Sequence, residues 1–178
     1  MGAGADALAL ASSNKAPVVA NPAPNQPGPA VRFGTTVRGL PLIKPPYGRI
    51  SAIDLDQGEI KWQIAHGPTP ETIRESPALK GLDIPPTGET GLSVGTLVTK
   101  TLLIAGDGVA STLPSGARGA LLHAYDKQTG REVGAISLPA PQSGSPMTYM
   151  LEGKQYLVVA VSGGAYSGEY LAFALPSE

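Results

Sequence analysis

The chain contains no cysteine. That absence excludes a disulfide framework, a thiolate metal site, a cysteine nucleophile and a covalently attached c-type haem. Charge is scarce too. Lys, Arg, Asp and Glu make up 15% of the 178 residues, against the usual quarter, and the formal net charge is −1. Such a balance carries no electrostatic footprint for nucleic acid or for an anionic membrane. No apolar run approaches eighteen residues, so no membrane-spanning helix is predicted. Residues 1–13 lack a basic start, and Asp6 interrupts their short apolar stretch, so they do not read as a secretory signal. If the mature protein works outside the cytoplasm, its export signal is expected in another portion of the polypeptide.

Several chemical signatures are missing as well. The two histidines, His66 and His123, do not stand at a zinc-binding spacing. No G-x-S-x-G elbow supports a hydrolase. Gly106-Asp107-Gly108 lacks the lysine and the helix of a phosphate loop.

Glycine and proline, by contrast, are abundant, with 23 and 18 residues. This composition is wrong for a helical bundle and suits many short strands joined by turns. Residues 1–44 are rich in Ala, Pro and Asn, with Pro17, Pro22, Pro24, Pro27 and Pro29 close together. They read as a linker or poorly ordered lead-in with neither helix nor sheet. From Pro45 onward the pattern becomes strand-like. Candidate strands are Arg49–Asp54, Glu59–Ala65, 95–99, 102–105, 120–126, Glu132–Leu138, 146–151, 155–161 and 169–175. One helical turn is expected over 70–75, with Thr69 as its cap. Runs such as Leu157-Val158-Val159-Ala160 are almost wholly apolar, the mark of strands covered on both faces.

One pattern occurs twice. Ala52-x-Asp54-x-x-x-Gly58-x-x-x-Trp62 matches Ala124-x-Asp126-x-x-x-Gly130-x-x-x-Gly134, offset by 72 residues because of the loop at 67–94. The small Ala lets a neighbouring sheet approach. The Asp closes the strand and accepts turn amides. The Gly supplies positive φ, and the Trp offers a flat docking surface. Gly134 stands in the tryptophan's place in the second copy, so that copy must dock differently. Asp54 and Asp126 are accordingly read as turn residues. The strands group as two, four and three, which reads as half a blade, a whole blade and three-quarters of a blade. The expected fold class is all-β, a partial β-propeller of about two to two and a half four-stranded antiparallel blades after a disordered lead-in. Domain boundaries are expected at 1–44 and 45–178, and the arc is expected to start in mid-ring.

These motifs resemble the pyrroloquinoline-quinone (PQQ) dependent quinoprotein dehydrogenases, in particular the glucose dehydrogenase branch. The A-x-D-x-x-x-G-x-x-x-W repeat is similar to their tryptophan-docking motif. Pro45-Pro46-Tyr47-Gly48 resembles their P-P-[YW]-G segment. The stretch from Gly144-Ser145-Pro146-Met147-Thr148-Tyr149 through Gly153-Lys154-Gln155-Tyr156 is similar to their T-P-M-T-Y…G-K-Q-Y signature, and Tyr170-Leu171-Ala172-Phe173-Ala174-Leu175-Pro176 to their last strand. The resemblance covers roughly residues 42–176; residues 1–41 resemble nothing named.

The resemblance implies oxidation of a sugar or alcohol with PQQ and Ca²⁺ as cofactors. It implies a catalytic Asp as base, electron transfer to a cytochrome or quinone acceptor, and work in the periplasm, in some members at a membrane. It places the Ca²⁺ ligands and the base in earlier blades, so no catalytic or metal-binding residue is assigned here. The remaining blades are the expected partners, and the section alone is expected to be inactive. The Gly-rich segment Gly163, Gly164, Ala165 and Tyr166 corresponds to a loop that approaches the cofactor, although other members carry His or Trp near Ala165 or Tyr166. An ordinary hairpin loop is the alternative. Asp107 follows a strand where some members hold an acid, but the insertion at 109–117 favours a loop role. His123 reads as a packed or surface strand residue without a partner acid in view. A non-catalytic propeller scaffold remains a second functional reading.

Overall fold

The structure, a computed structural model, describes residues 35–89 and 94–174. Within them the chain forms antiparallel sheets arranged as the sequence grouping predicts. The first sheet pairs β3 (Arg49–Asp54) with β4 (Glu59–Ala65). The second holds β5 (Leu97–Val98), β6 (Leu102–Gly106), β8 (Arg118–Asp126) and β9 (Glu132–Leu138), with the short β7 (Ser111–Thr112) paired to the start of β8. The third holds β10 (Met147–Leu151), β11 (Lys154–Gly163) and β12 (Tyr166–Ala174) in that order.

The repeat is reproduced at the level of the backbone. Gly58 and Gly130 both adopt positive φ, 71° and 72°. The ladder slips after Ala52 in the first copy and after Ala124 in the second, so a bulge follows the same motif position in each. Asp54 Oδ1 accepts the amides of Asp56 and Gln57, and Oδ2 pairs with Lys61 at 2.9 Å. Asp126 Oδ1 accepts the amides of Gln128 and Thr129 and the Thr129 hydroxyl. Each acid is spent on closing its turn.

Trp62 does what a docking residue should. Its indole donates to the Lys127 carbonyl at 3.1 Å, and a Cβ on Gly130 would meet the ring at 2.8 Å. The tryptophan of one copy thus sits on the glycine turn of the next. Among the described residues, nothing lies within 4 Å of the corresponding position on Gly58.

The second sheet is covered on both faces. On one, Leu103, Ala105 and Tyr125 pack against Ile50, Trp62 and Ile64 of the first sheet. On the other, Ile104, Ala120, Leu122 and Leu138 pack against Val159 and Val161 of the third. Strict alternation along β6 and β8 sends neighbouring residues to different junctions, which explains why these strands show no polar face.

Four local expectations need correction. Residues 1–34 of the lead-in lie outside the described residues, but 35–44 are not bare coil. There β1 (Thr36–Val37) pairs with β2 (Leu40–Pro41) across a turn in which Arg38 and Gly39 have φ of 52° and 79°. A dipeptide able to take two left-handed conformations outweighed the surrounding proline content. The helical turn forms as α1 (Glu71–Arg74), but Thr69 does not cap it. Pro70 holds the N-cap position without a side-chain bond, and the Thr69 hydroxyl accepts the Thr87 amide instead. The insertion at 109–117 is not only loop, since it contains β7. Finally, β12 starts at Tyr166 rather than Glu169, which shortens the preceding loop; residues 175–178 lie outside the described residues.

Candidate functional site at the loop end of the sheets

Antiparallel order brings one set of connections to a common end. The exit of β4, the 66–89 segment, the exit of β6, the β9–β10 link and the β11–β12 turn all meet there. The link is physical. His66 Nε2 lies 3.2 Å from the Gly106 carbonyl. The Gln142 amide donates to the Asp107 carbonyl, Gln142 bridges to Val161, and the Ser162 amide donates to the Pro141 carbonyl.

The predicted cofactor-facing residues occupy the β11–β12 turn. Gly163 pairs directly with Tyr166, leaving Gly164 and Ala165 as a two-residue turn. Gly163, Gly164 and Ala165 are exposed, and Gly164, at φ 60°, has nothing within 4 Å of its missing Cβ among the described residues. The backbone there is open to close approach by a flat molecule. Tyr166 is half-buried and hydrogen-bonds to Glu169; burial, followed by that bond, pushes its phenol up to about 12.

A second group at the same end was not assembled by the sequence reading. It comprises His66, Glu89, Asp107, His123, Tyr125 and Glu132, of which all but Glu132 are buried. Gly48, Gly67 and Gly88 make room for it. A Cβ on Gly48 would lie 2.6 Å from the Glu89 and His66 carbonyls, and one on Gly67 would lie 2.5 Å from the Glu89 side chain. The 87–89 segment is bound backbone to backbone, with Tyr47 N–H donating to Thr87 O at 2.7 Å and Glu89 N–H donating to His66 O at 2.9 Å.

The partners define the protonation states. His66 Nε2 faces a carbonyl, which only accepts, so this nitrogen carries the hydrogen. In the neutral ring Nδ1 then accepts from the Tyr125 hydroxyl, 3.0 Å away. Burial holds His66 below the ordinary histidine range, against the smaller opposing pull of the Gly106 bond. His123 is the reverse case. Its Nε2 is 3.0 Å from Asp107 Oδ1 and its Nδ1 is 3.2 Å from Glu132 Oε2, so both nitrogens donate. Burial pulls this ring down, but the Asp107 and Glu132 interactions together outweigh it and the net shift is upward. The two imidazoles stand edge to face, 5.6 Å apart.

Asp107 is almost fully buried, and its Oδ2 accepts the Leu121 amide at 2.9 Å while its own N–H donates to the Leu121 carbonyl. It fills the break between β6 and β7 with a side chain, a loop role enlarged by the ion pair. Glu89 Oε1 accepts the Gly108 amide at 2.6 Å; Oε2 is buried without a hydrogen-bond partner among the described residues. Burial first, then the Asp107 charge, push the Glu89 carboxyl up to about 7. Tyr125 is also raised by burial. His66 and Glu89 border an open cleft of about 800 Å³ between the first sheet and β5. Among the described residues, no group of three or more His, Cys, Asp or Glu is arranged to hold a metal ion, and no helix is long and apolar enough to cross a membrane.

A sequence scan can hardly find such a cluster, since its members lie 59, 16 and 9 residues apart along the main contacts. The one available signal was acids flanked by glycine, at Gly88-Glu89 and Gly106-Asp107-Gly108.

Comparison with known proteins gives a consistent picture. Residues 7–157 match the family described as PQQ: glucose/ethanol/alcohol dehydrogenase, β-propeller domain. The chain is 35% identical over 145 residues to a probable quinate dehydrogenase (quinone) of Xanthomonas campestris pv. juglandis, covering 78% of this chain and 17% of that protein. It is 31% identical over 168 residues to quinoprotein glucose dehydrogenase of Escherichia coli strain K12, covering 86% and 19%. It is 30% identical over 150 residues to the glycerol dehydrogenase large subunit of Gluconobacter thailandicus, covering 81% and 19%. The chain therefore spans less than a fifth of the length of these relatives. The family match begins at residue 7, so the likeness reaches into the segment where the sequence reading found none. An arc of antiparallel blades, a tryptophan seated on the next repeat and these matches converge: the chain belongs to the β-propeller family of the PQQ-dependent glucose, ethanol and alcohol dehydrogenases.

Proposed function

We propose that this chain is a section of the propeller of a quinoprotein dehydrogenase that oxidises a CH–OH group of a glucose-like sugar or an alcohol, and that the section alone is inactive. Residues 45–178 would supply the blades and 1–44 the lead-in. The observation that carries this reading is the docking of Trp62 on the Gly130 turn, together with apolar residues left uncovered on the outer sheets. Ile53 and Ile60 on the first sheet and Met147, Leu151 and Tyr170 on the third are all more than half exposed. Such surfaces fit neighbouring blades. The names of the relatives, which include glucose, quinate and glycerol dehydrogenases, support the reaction class.

When bound, PQQ supplies the two-electron acceptor chemistry. This chain's contribution would be positional. The open backbone of Gly163, Gly164 and Ala165 offers one edge to the flat cofactor, with Tyr166 fixed beside it. Ca²⁺ and the catalytic base would come from other blades, electrons would leave to a cytochrome or quinone, and the setting would be the periplasm.

The test uses the full-length polypeptide that contains this section, loaded with PQQ and Ca²⁺. Retained cofactor absorbance and dye reduction with glucose, quinate or glycerol are expected. Ala165→Arg should weaken PQQ retention at least tenfold while leaving the unfolding midpoint in place. Unchanged retention would remove the turn from the cofactor site. A full-length protein that never holds PQQ would favour a non-catalytic scaffold.

A further inference from the structure

We infer that closing the first sheet onto the second moves a proton from His66 to Glu89, so that the junction buries a neutral pair where the open chain carries an ion pair. The two residues are neighbours in space. Glu89 N–H donates to the His66 carbonyl at 2.9 Å, and the Glu89 side chain lies against Gly67. In the open state both meet water. Between the ordinary carboxyl and imidazole values of 4.5 and 6.5, the first is then an anion and the second a cation.

Closure removes the basis for both charges. In the neutral ring Nδ1 accepts from the Tyr125 hydroxyl while Nε2–H points at the Gly106 carbonyl, and burial favours that neutral form. A second ring proton would meet the Tyr125 oxygen and force that hydroxyl hydrogen to seek another acceptor. Glu89 Oε2 becomes buried without a partner among the described residues, and a bare charge there is costly. The ring loses one proton and the carboxyl gains one, so the closing step takes up and releases none.

Tyr47, Arg49 and Lys127 border the same cleft as His66 and Glu89, and further titratable groups face the pair from the second sheet and its exit. The latter are Asp107, His123, Tyr125 and Glu132, and His123 is held charged between the two acids. Asp54 and Asp126, the nearby turn acids, sit at the opposite end of their strands. Hydrogen bonds to Lys61 and to Thr129 respectively lower them further, so they titrate below this range.

The consequence is a hidden cancellation. A raised acid alone makes closure weaker as pH rises from 4.5 to about 7, and a lowered histidine alone makes it stronger as pH approaches 6.5. With both present the slopes oppose. The experiment is amide hydrogen exchange of β4, residues 59–65, in the whole chain between pH 4.5 and 6.5, corrected for intrinsic exchange. Wild type should vary by less than about threefold per pH unit. Glu89→Gln should show protection rising by up to about tenfold per unit, the limit for one proton. His66→Asn should show it falling by a similar factor. Should His66→Asn fail to fold, His66→Gln gives the same falling slope, because it too removes the imidazole that titrates while keeping a polar side chain at the position. At pH 6 an infrared carbonyl band of a protonated carboxyl group, absent in Glu89→Gln, is expected. Variants that keep the wild-type slope, or the absence of that band, would overturn the proposal.

Discussion

The second sheet makes two junctions, and they are built from different materials. Toward the third sheet, Ile104, Ala120, Leu122, Leu138, Val159 and Val161 interlock, and the titratable side chain packed against them is Tyr166, whose phenol stays neutral well above pH 7. Toward the first sheet, the apolar contact is smaller, with Leu103, Ala105 and Tyr125 against Ile50, Trp62 and Ile64, and the space beyond is filled by His66, Glu89, Asp107 and His123. The same strands supply both. The difference teaches that one strand can serve a junction governed by shape and another governed by protons, because alternate side chains never share a face. Shape-governed contacts respond to lost volume, and proton-governed contacts respond to pH and to lost partners.

Substitutions sharpen this contrast. The largest effect is expected for Leu138→Ala, 1% exposed at the centre of the apolar junction. It should lower the stability of the chain by about 3–4 kcal/mol in urea unfolding, independently of pH. Next comes Gln142→Ala. Gln142 Oε1 accepts the Gly106 amide and Nε2 donates to the Gly95 carbonyl, both at 2.7 Å. Loss of both partners should cost about 2–3 kcal/mol. A third test compares Gly130→Ala with Gly58→Ala. Both carry the penalty of positive φ, but only Gly130 faces Trp62. The first should be worse by about 1–2 kcal/mol through overpacking; equal losses would mean that the tryptophan contact contributes nothing.

The smallest effect belongs to Glu132→Gln, whose side chain is half exposed. His123 lies above its ordinary value in the folded chain. Its stabilisation is therefore complete below 6.5 and lost as pH rises through the folded value. Removing Glu132 should bring that loss to lower pH, visible as a lower His123 titration midpoint by NMR, at a cost under about 1 kcal/mol.

Much of the fold was legible because its signals are local. Gly-bounded apolar runs marked the long strands, and the A-x-D-x-x-x-G spacing marked turns whose acid, bulge and positive-φ glycine all recur in space. The smallest pieces escaped. β1, β2 and β7 are two residues each, too short to show a period. The 162–168 segment reads as a broad loop, whereas cross-strand pairing carries β11 and β12 to within two residues of each other. The polar cluster was illegible for another reason. His66, His123 and Glu89 acquire their character from partners on other strands, and a histidine's hydrogen-bonding role is not a property of its neighbours in sequence.

β8 has no face turned to water over most of its length, and its burial pattern is nearly continuous from Gly119 to Tyr125. Its odd-numbered side chains from Leu121 to Tyr125 look one way and its even-numbered ones the other. A slide of a single residue past its neighbours would therefore present imidazole and phenol to the aliphatic side and alanine and leucine to the carboxylates. Such an error is punished twice at once, so this one strand acts as the vernier that aligns three sheets.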